Sequence, residues 1–504
     1  MLKDSLSRAV GALENMKVRP RSGAREVGRV ESIEGSVVLC SGLCDIGLDE
    51  LVDISGRPGL VISLKSDFVG VALLSDPSGI SAGDRVRRVR RLADVPVGPG
   101  LLGRVVDPLG RAIDGLGPVK AKKRYPIERP APSIMERAPV SKPLQTGVKI
   151  VDSLVPIGRG QRELILGDRQ TGKTSLAVDA IINQKGSGVV CVYCAIGSRM
   201  DQTAKVVDAL KRFGAMSHTV VIAAPGEASP GLLYIAPYAA ASVAEYFMEE
   251  EKKDVLVVYN NLTSHASAYR QLSLFLRRPP GREAYPGDIF YIHSRLLERA
   301  TKLKKGGSVT ALPICETLAE NISAYIPTNL ISITDGQIFL SARLFQKGVA
   351  PALDVGASVS RVGSKAQLPA YKEIAGAMKI AFSQFEELEA FSRFGAQLDA
   401  DTKARLVRGA RIREVLKQPL HEPMRASGQI VVIFAANAGL FDLVPLDIVS
   451  RAAEKLVIYA NKGLPGLMKS IDSGAPLNAR MRADIKKVAV HVLKEFQIAE
   501  PVKP

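Results

Sequence analysis

The chain has 504 residues, of which 46% are hydrophobic and 24% charged, and it carries a formal net charge of +17. That length accommodates about two to four domains with well-buried cores, and the composition is that of a soluble globular protein. No apolar run is long enough to span a bilayer, the opening Met-Leu-Lys-Asp-Ser-Leu lacks the apolar core of a secretory signal, and five cysteines are too few for a disulfide scaffold, so a cytosolic chain is expected.

Four segments follow in chain order. In residues 1–26, Leu2, Leu6, Ala9 and Leu13 share one face of a short helix, and a loose basic stretch follows. Residues 27–93 are rich in short β patterns such as Ser36-Val37-Val38-Leu39, separated by turn clusters such as Ser55-Gly56-Arg57-Pro58-Gly59; they predict a small β-barrel or sandwich. The basic runs Arg85–Arg91 and Lys120–Arg124 have no interleaved aromatic residues apart from Tyr125, and read as solvated faces rather than an RNA track. Residues 94–368 alternate apolar strands with helical stretches, the pattern of an α/β parallel sheet. Within them Leu164–Leu166, Val189–Tyr193, Thr219–Ala223 and Val255–Tyr259 read as strands covered on both faces. Residues 369–504 turn helical, with Met481, Ile485, Val488, Val492 and Phe496 at helical spacing. Cys191 and Cys194 lie three apart on a strand, so their sulfurs point to opposite faces and do not converge on a metal. Cys40 and Cys44 offer no metal-site spacing either, and buried, reduced thiols are expected throughout.

Gly167-Asp168-Arg169-Gln170-Thr171-Gly172-Lys173-Thr174 fits the phosphate-binding pattern G-x-x-x-x-G-K-[ST]. It sits between the apolar run Leu164–Leu166 and a helical stretch that opens at Ser175, the strand-to-helix context the motif requires. The glycines let backbone N–H groups approach phosphate oxygens, and the helix turns its positive end to the anion. Lys173 reaches the outer phosphates and the Thr174 hydroxyl holds magnesium. Such sites add an acid at the end of a second strand, but the strand Asp254–Tyr259 ends in Asn260-Asn261; Asn260 reads as a weak, degenerate metal ligand, with a simple turn as the alternative. Hydrolysis also needs a group that activates water, and the segment after Cys194, read as a loop, has no carboxylate before Asp201. Strong ATPase activity in this site is therefore not expected. Arg361, set among small residues in Val359–Ser364, is a candidate arginine finger offered to a phosphate in trans, with a surface salt bridge as the alternative.

These stretches, with Pro156–Leu164, Ala268–Gln271, Leu276–Asp288, His293–Arg299, Ser323–Asn329 and Ile333–Leu340, resemble the alpha subunits of F-type ATP synthases over nearly the whole chain. The loop has the alpha wording GDRQTGKT, where the catalytic beta subunit usually has GGAGVGKT. The resemblance implies an N-terminal β-barrel, a central RecA-like P-loop α/β domain and a C-terminal α-helical bundle. It implies three alphas alternating with three betas around a gamma stalk subunit, with the N-terminal helix docking the delta subunit of the peripheral stalk. It implies a subunit that binds ATP or ADP with magnesium without turning it over, and that lends Arg361 to a neighbouring beta site. Ser175, Glu316, Pro351 and Gln418 match family nucleotide contacts; Asn260, Ser198, Ala350 and Leu420 replace the usual Asp, Gln, Arg and Gln. A divergent alpha from an alternative F-type operon is expected, peripheral on the cytoplasmic face of the bacterial inner membrane. It would touch the membrane only through the membrane-embedded sector and bind no nucleic acid. The competing readings are a self-sufficient catalytic ATPase of the beta or flagellar export type, a ring-shaped RNA translocase, and a nucleotide-binding paralogue outside a synthase.

Overall fold

The computed structural model describes residues 27–392 and 399–497, so the predicted N-terminal helix lies outside the described residues. Backbone contacts divide the chain after Leu92 into two compact units.

The first unit is a closed barrel of six antiparallel strands: β1 (Val27–Glu34), β2 (Val37–Ser41), β3 (Glu50–Ile54), β4 (Arg57–Leu64), β5 (Val69–Leu73) and β6 (Arg85–Leu92). The order β1-β2-β5-β4-β3-β6 closes on itself, which decides for a barrel over a sandwich and leaves no open edge. Val30, Val38, Val52, Ile54, Val61, Val71 and Val86 point inward and fill it. On β6 the pleat turns Val86 into the core and Arg85 and Arg87 outward, so the basic run follows from strand alternation. Arg88 forks onto the Glu50 carboxylate of the neighbouring strand, with Nε–Oε1 at 2.9 Å and Nη2–Oε2 at 2.8 Å, and this holds Glu50 below the usual carboxylate range. Cys40 is buried, as expected, but Cys44 is exposed, because it sits in the turn between β2 and β3 rather than on a strand.

The second unit opens with a two-stranded ribbon, β7 (Asp94–Val97) against β9 (Lys123–Pro126). Its main sheet contains β8 (Val105–Val106), β10 (Leu164–Gly167), β11 (Val190–Ser198), β12 (Thr219–Pro225), β13 (Asp254–Asn260), β14 (Ser308–Glu316), β15 (Gly336–Leu340) and β16 (Val359–Ser360). The order is β16-β15-β10-β14-β13-β11-β12-β8, and every neighbouring pair is parallel except β15 with β16. All four expected strands extend beyond their apolar runs. β11 continues to Ser198, so Ala195–Ser198 is strand rather than loop; parallel pairing on both sides, Ala195 with Asn260 and Ser198 with Pro225, carries it on. Cys191 and Cys194 are buried in β11 as free thiols, and burial pushes both above the usual thiol range.

Helices Pro369–Ser392, Ala400–Leu416, Ala426–Asn437, Val449–Gly463, Pro465–Asp472 and Ala479–Leu493 complete this unit. Their core residues Phe382, Ile412, Leu416, Ile430, Leu456, Ile485 and Val492 join Ile150, Leu176 and Leu353 of the sheet region in one buried cluster. A polar hub crosses the same junction. Asp152, fully buried, accepts from Thr146 N (2.8 Å), Thr146 Oγ1 (2.7 Å), Gly147 N (2.9 Å) and Gln429 Nε2 (2.9 Å), while Gln429 Oε1 accepts from the Tyr371 hydroxyl at 2.7 Å. Burial raises the Asp152 carboxyl above its usual range, and these bonds act against that rise.

The most deeply buried ion pair in the second unit joins Arg299 to Glu245, side chains 1% and 3% exposed, on the helix Pro230–Glu249. The guanidinium donates to both carboxylate oxygens at 2.6 and 2.8 Å, to Ile127 O at 2.7 Å and to Ser242 Oγ at 2.8 Å. Arg129 adds a second cation to Glu245 at 2.7 Å. Glu245→Ala strands Arg299, while Arg129 keeps Glu249 at 3.0 Å, and breaking one partner of a buried pair costs about 3–5 kcal/mol. Chemical denaturation of the variant is expected to show a loss of that size; a change below about 1 kcal/mol, the range of a surface pair, would remove this network from the supports of the fold.

Candidate nucleotide-binding site

The phosphate loop leaves the carboxyl end of β10 and runs into the helix Lys173–Ile182. Gly172 has φ +96° and Gly167 φ +153°, and a Cβ on Gly167 would lie 2.5 Å from the Leu340 carbonyl oxygen, so glycine is required there. Asp168 anchors the loop from below: its carboxylate accepts from Thr317 Oγ1 at 2.6 Å and Glu320 N at 3.0 Å. Its carbonyl accepts from Thr171 Oγ1 at 2.8 Å and from the Lys173 ammonium. Burial lowers the Lys173 ammonium below the usual lysine range, while the nearby Glu316 and Asp168 carboxylates act in the opposite sense. Arg169 and Gln170 are exposed on the outer side of the loop, and Ser175 follows Thr174 in the first helical turn.

Loop and helix border an open cleft of about 730 Å³. Asn260, at the end of β13, donates through Nδ2 to Thr174 Oγ1 at 3.1 Å and to the Tyr193 hydroxyl at 2.7 Å. Burial pushes that hydroxyl up to about 12, so it stays protonated. Asn261 has two tasks: Oδ1 caps the helix Leu262–Phe275 by accepting from Ser264 N at 2.7 Å, and Nδ2 reaches Glu316 Oε1 at 3.4 Å. Glu316 Oε2 accepts from Arg169 Nε at 3.2 Å. Among the described residues lining the cleft, Glu316 is the one acidic side chain; Ser198 stands at the end of β11. The structure therefore brings Arg169, Gln170, Gly172–Ser175, Asn260 and Glu316 together around one space, with Gly167, Asp168 and Thr171 in the loop behind it.

Beyond Gly172 an apolar recess continues past Pro351 and Gln418. Gln418 is 7% exposed, and its amide is committed to the protein: Nε2 donates to Gly147 O at 2.8 Å and Glu422 O at 2.7 Å, and Oε1 accepts from Lys149 N at 3.0 Å.

Arg361 is not part of this cleft. It follows β16, whose Ser360 pairs with Gly336 at the amino end of β15, and its N–H donates to Asp335 O at 2.9 Å. Gly167 pairs with Leu340, at the carboxyl end of the same strand. The four residue steps between those pairings span about 13 Å of strand, so the arginine and the chain's own phosphate loop lie at opposite ends of the sheet. Ser360 fixes the segment by donating to Pro156 O at 2.7 Å and accepting from Gln161 Nε2 at 3.2 Å. The Arg361 side chain is exposed, with no hydrogen-bond partner among the described residues.

Sequence reasoning missed Thr317 and Tyr193, which act through contacts spanning 149 and 67 residues and carry no local spacing signal. It also missed the bridging role of Asn261, for which the N-cap position of an asparagine before an apolar run was an available signal.

A glycine-rich phosphate loop seated at the carboxyl end of a buried parallel strand, next to the partner strands that frame the cleft, defines a P-loop nucleotide-binding protein. Residues 147–360 match the nucleotide-binding domain of the ATP synthase alpha/beta family, and residues 367–492 match the C-terminal domain of the ATP synthase alpha/beta chain. The chain is 56% identical to ATP synthase subunit alpha 2 of Polaromonas naphthalenivorans over 476 residues, 94% of this chain and 91% of the relative. It is 53% identical to ATP synthase subunit alpha 2 of Syntrophotalea carbinolica over 98% and 95% of the two chains. With ATP synthase subunit alpha 1 of Chlorobium luteolum the figures are 52% identity over 99% and 98%. The chain belongs to the ATP synthase alpha/beta family.

The neutral amide beside Thr174 sets an expectation for cations. Asn260→Asp puts a carboxylate within reach of the Thr174 hydroxyl, so ATP binding to the variant should depend more steeply on magnesium than binding to the parent. Calorimetric titrations with and without magnesium measure this; equal magnesium effects in the two proteins would show that charge at residue 260 is immaterial.

Proposed function

We propose that this chain is the nucleotide-binding, non-catalytic alpha subunit of an F-type ATP synthase. The synthase makes ATP from ADP and phosphate using a transmembrane proton or sodium gradient. The observation that carries the division of labour is the position of Arg361, exposed at the opposite end of the sheet from the chain's own loop. A guanidinium there serves a site on another subunit. It stabilises charge that develops during phosphoryl transfer and adds little to ground-state binding.

In the chain's own cleft, the backbone amides of residues 167–174 and the Lys173 ammonium hold the phosphates of ATP or ADP. Magnesium, when bound, neutralises phosphate charge; the Thr174 hydroxyl would hold it together with phosphate oxygens, a donor set that suits an ion usually bound through substrate phosphates and few protein groups. Asn260 orients that hydroxyl without adding charge. Turnover is not supported, because Ser198 is no base at neutral pH and both oxygens of Glu316 already accept hydrogen bonds. In this reading three such subunits alternate with three beta subunits around the gamma stalk, and the N-terminal residues meet the delta subunit of the peripheral stalk. The ring is peripheral on the cytoplasmic face of the bacterial inner membrane. Among the described residues no helix is long and apolar enough to cross a membrane, and contact with the bilayer is left to the membrane-embedded sector. The barrel, the nucleotide-binding region to residue 368 and the helical region after it act as three functional parts.

The test is Arg361→Lys in a complex reconstituted with beta and gamma subunits. Lysine lacks the planar fork of donors, and arginine fingers contribute about 10³–10⁵ in rate. Multisite turnover is expected to collapse while assembly and nucleotide affinity persist; turnover within about threefold of the parent, only ~0.7 kcal/mol, would remove Arg361 from the mechanism. The purified chain alone is expected to show no steady hydrolysis. Rates of about 1 per second or more, abolished by Glu316→Gln, would instead establish a self-sufficient ATPase.

A further inference from the structure

We propose that Glu163 is a positioning residue for Arg361: its charged carboxylate draws the guanidinium back onto its own subunit, and its neutral acid form releases the arm to the neighbouring site. The inference rests on the reading of Arg361 as an arginine lent to another subunit, and adds to it a proton-dependent control within this chain. Glu163 is fully buried and immediately precedes β10, at the amino end of the sheet. Leu164 pairs with Gln337, and Gly336 pairs with Ser360, so Glu163 lies where β15 meets the strand that leads into Arg361.

Glycine at 336 makes room for this side chain. A Cβ there would lie 2.5 and 2.9 Å from the two carboxyl oxygens and would also run into Val359 O. The carboxyl is thus packed against the backbone of β16. Gln161 Nε2 ties the two together, donating to Glu163 Oε2 at 2.6 Å and to Ser360 Oγ at 3.2 Å. Ser360 Oγ also accepts from Gly363 N at 3.2 Å, so the backbone on both sides of Arg361 is held while its side chain is not. Glu163 Oε1 is buried and has no hydrogen-bond partner among the described residues. A buried acceptor without a donor and an exposed guanidinium without an acceptor therefore stand on adjoining segments.

Burial raises the Glu163 carboxyl well above the usual carboxylate range. The Gln161 amide acts against that rise, the Asp335 carboxylate ahead of β15 adds to it, and the Arg361 guanidinium after β16 acts against it. Asp335 is already clasped by Arg162, Nε to Oδ2 at 3.0 Å and Nη2 to Oδ1 at 2.8 Å. Arg361 is thus the cation that answers a charge on Glu163. When the guanidinium leaves for a neighbour's phosphates, that support goes with it, and the carboxyl takes a proton from solvent. Linkage makes the two events reciprocal: loss of the proton favours return of the arm. A charged hydrogen bond biases such a choice about tenfold or more.

The experiment measures multisite turnover of complexes reconstituted with beta and gamma subunits and carrying either the parent chain or Glu163→Gln. It runs from about pH 6 to about pH 9.5, the span in which buried carboxyls titrate. Glutamine copies the neutral acid and cannot ionise. Ionisation holds the arm back, so the ratio of parent to variant turnover is expected to fall about threefold or more from the acid to the alkaline end. A ratio that falls by less than that overturns the proposal; a variant slowed equally at every pH is one such result, and marks a merely structural carboxyl. The underlying reading fails separately, through Arg361→Lys complexes that turn over like the parent. On the isolated full chain, the infrared band of the protonated carboxyl that Glu163→Gln removes is expected to titrate at higher pH in Arg361→Ala than in the parent, because the supporting cation is gone. An unchanged titration there would overturn the pairing even if the variant complexes did not assemble.

Discussion

Buried polar groups must be paired, and that requirement at the seam between the parallel sheet and the C-terminal helices shapes the rest of the second unit. An unpaired buried donor or acceptor costs about 1–3 kcal/mol, so the polar side chains at the seam draw on several partners each. Asp152 does this with four donors, and Gln418 does it with three backbone partners. Both meet at Gly147, whose N–H serves one and whose carbonyl serves the other. Packing and recognition therefore share the same atoms.

The phosphate loop obeys the same rule on a smaller scale. Its shape is set before any ligand arrives, because Asp168 binds Thr317 and Glu320 on one side and receives Thr171 and Lys173 on the other. The Lys173 ammonium rests on a carbonyl of the same loop. Preorganisation of this kind keeps the ordering cost of binding low. Asn260 holds Thr174 in place from the neighbouring strand but adds dipole rather than charge. The site is thus tightly held in geometry and carries no charge at residue 260.

Much of this was legible in the sequence. The loop, its strand and its helix were explicit in Gly167–Thr174 and the apolar runs around them, because periodicity and glycine placement are local signals. The three-part architecture followed from the same patterns and from the family resemblance. The closure of the barrel came from the family resemblance and not from the strand pattern, since closure depends on β1 finding β6 across the whole segment, and short alternating strands serve a sandwich equally well. The extension of β11 to Ser198 was hidden because Gly197 and Ser198 look like loop residues; strand character there is imposed by neighbours on both sides. Cys44 was misjudged because burial of cysteine is a tendency of strands and helices, not of turns. The contacts from Asp168 to Thr317 and from Asn260 to Tyr193 join distant segments, and nothing in either segment alone announces the other.

The opposed placement of Gly167 and Arg361 has a consequence for symmetry. A subunit that receives at one end of its sheet and gives at the other is polar in the sense of an arrow. In the proposed reading, where Arg361 serves a neighbour's site, stacking such subunits end to end about a two-fold axis brings like ends together. Head-to-tail contact does deliver the giver to the receiver, and head-to-tail contacts either run on as open filaments or close into rings. With Arg361 lent to a neighbour as proposed, this polarity within a single sheet, set by about 13 Å of strand, favours head-to-tail assembly over end-to-end pairing of like ends.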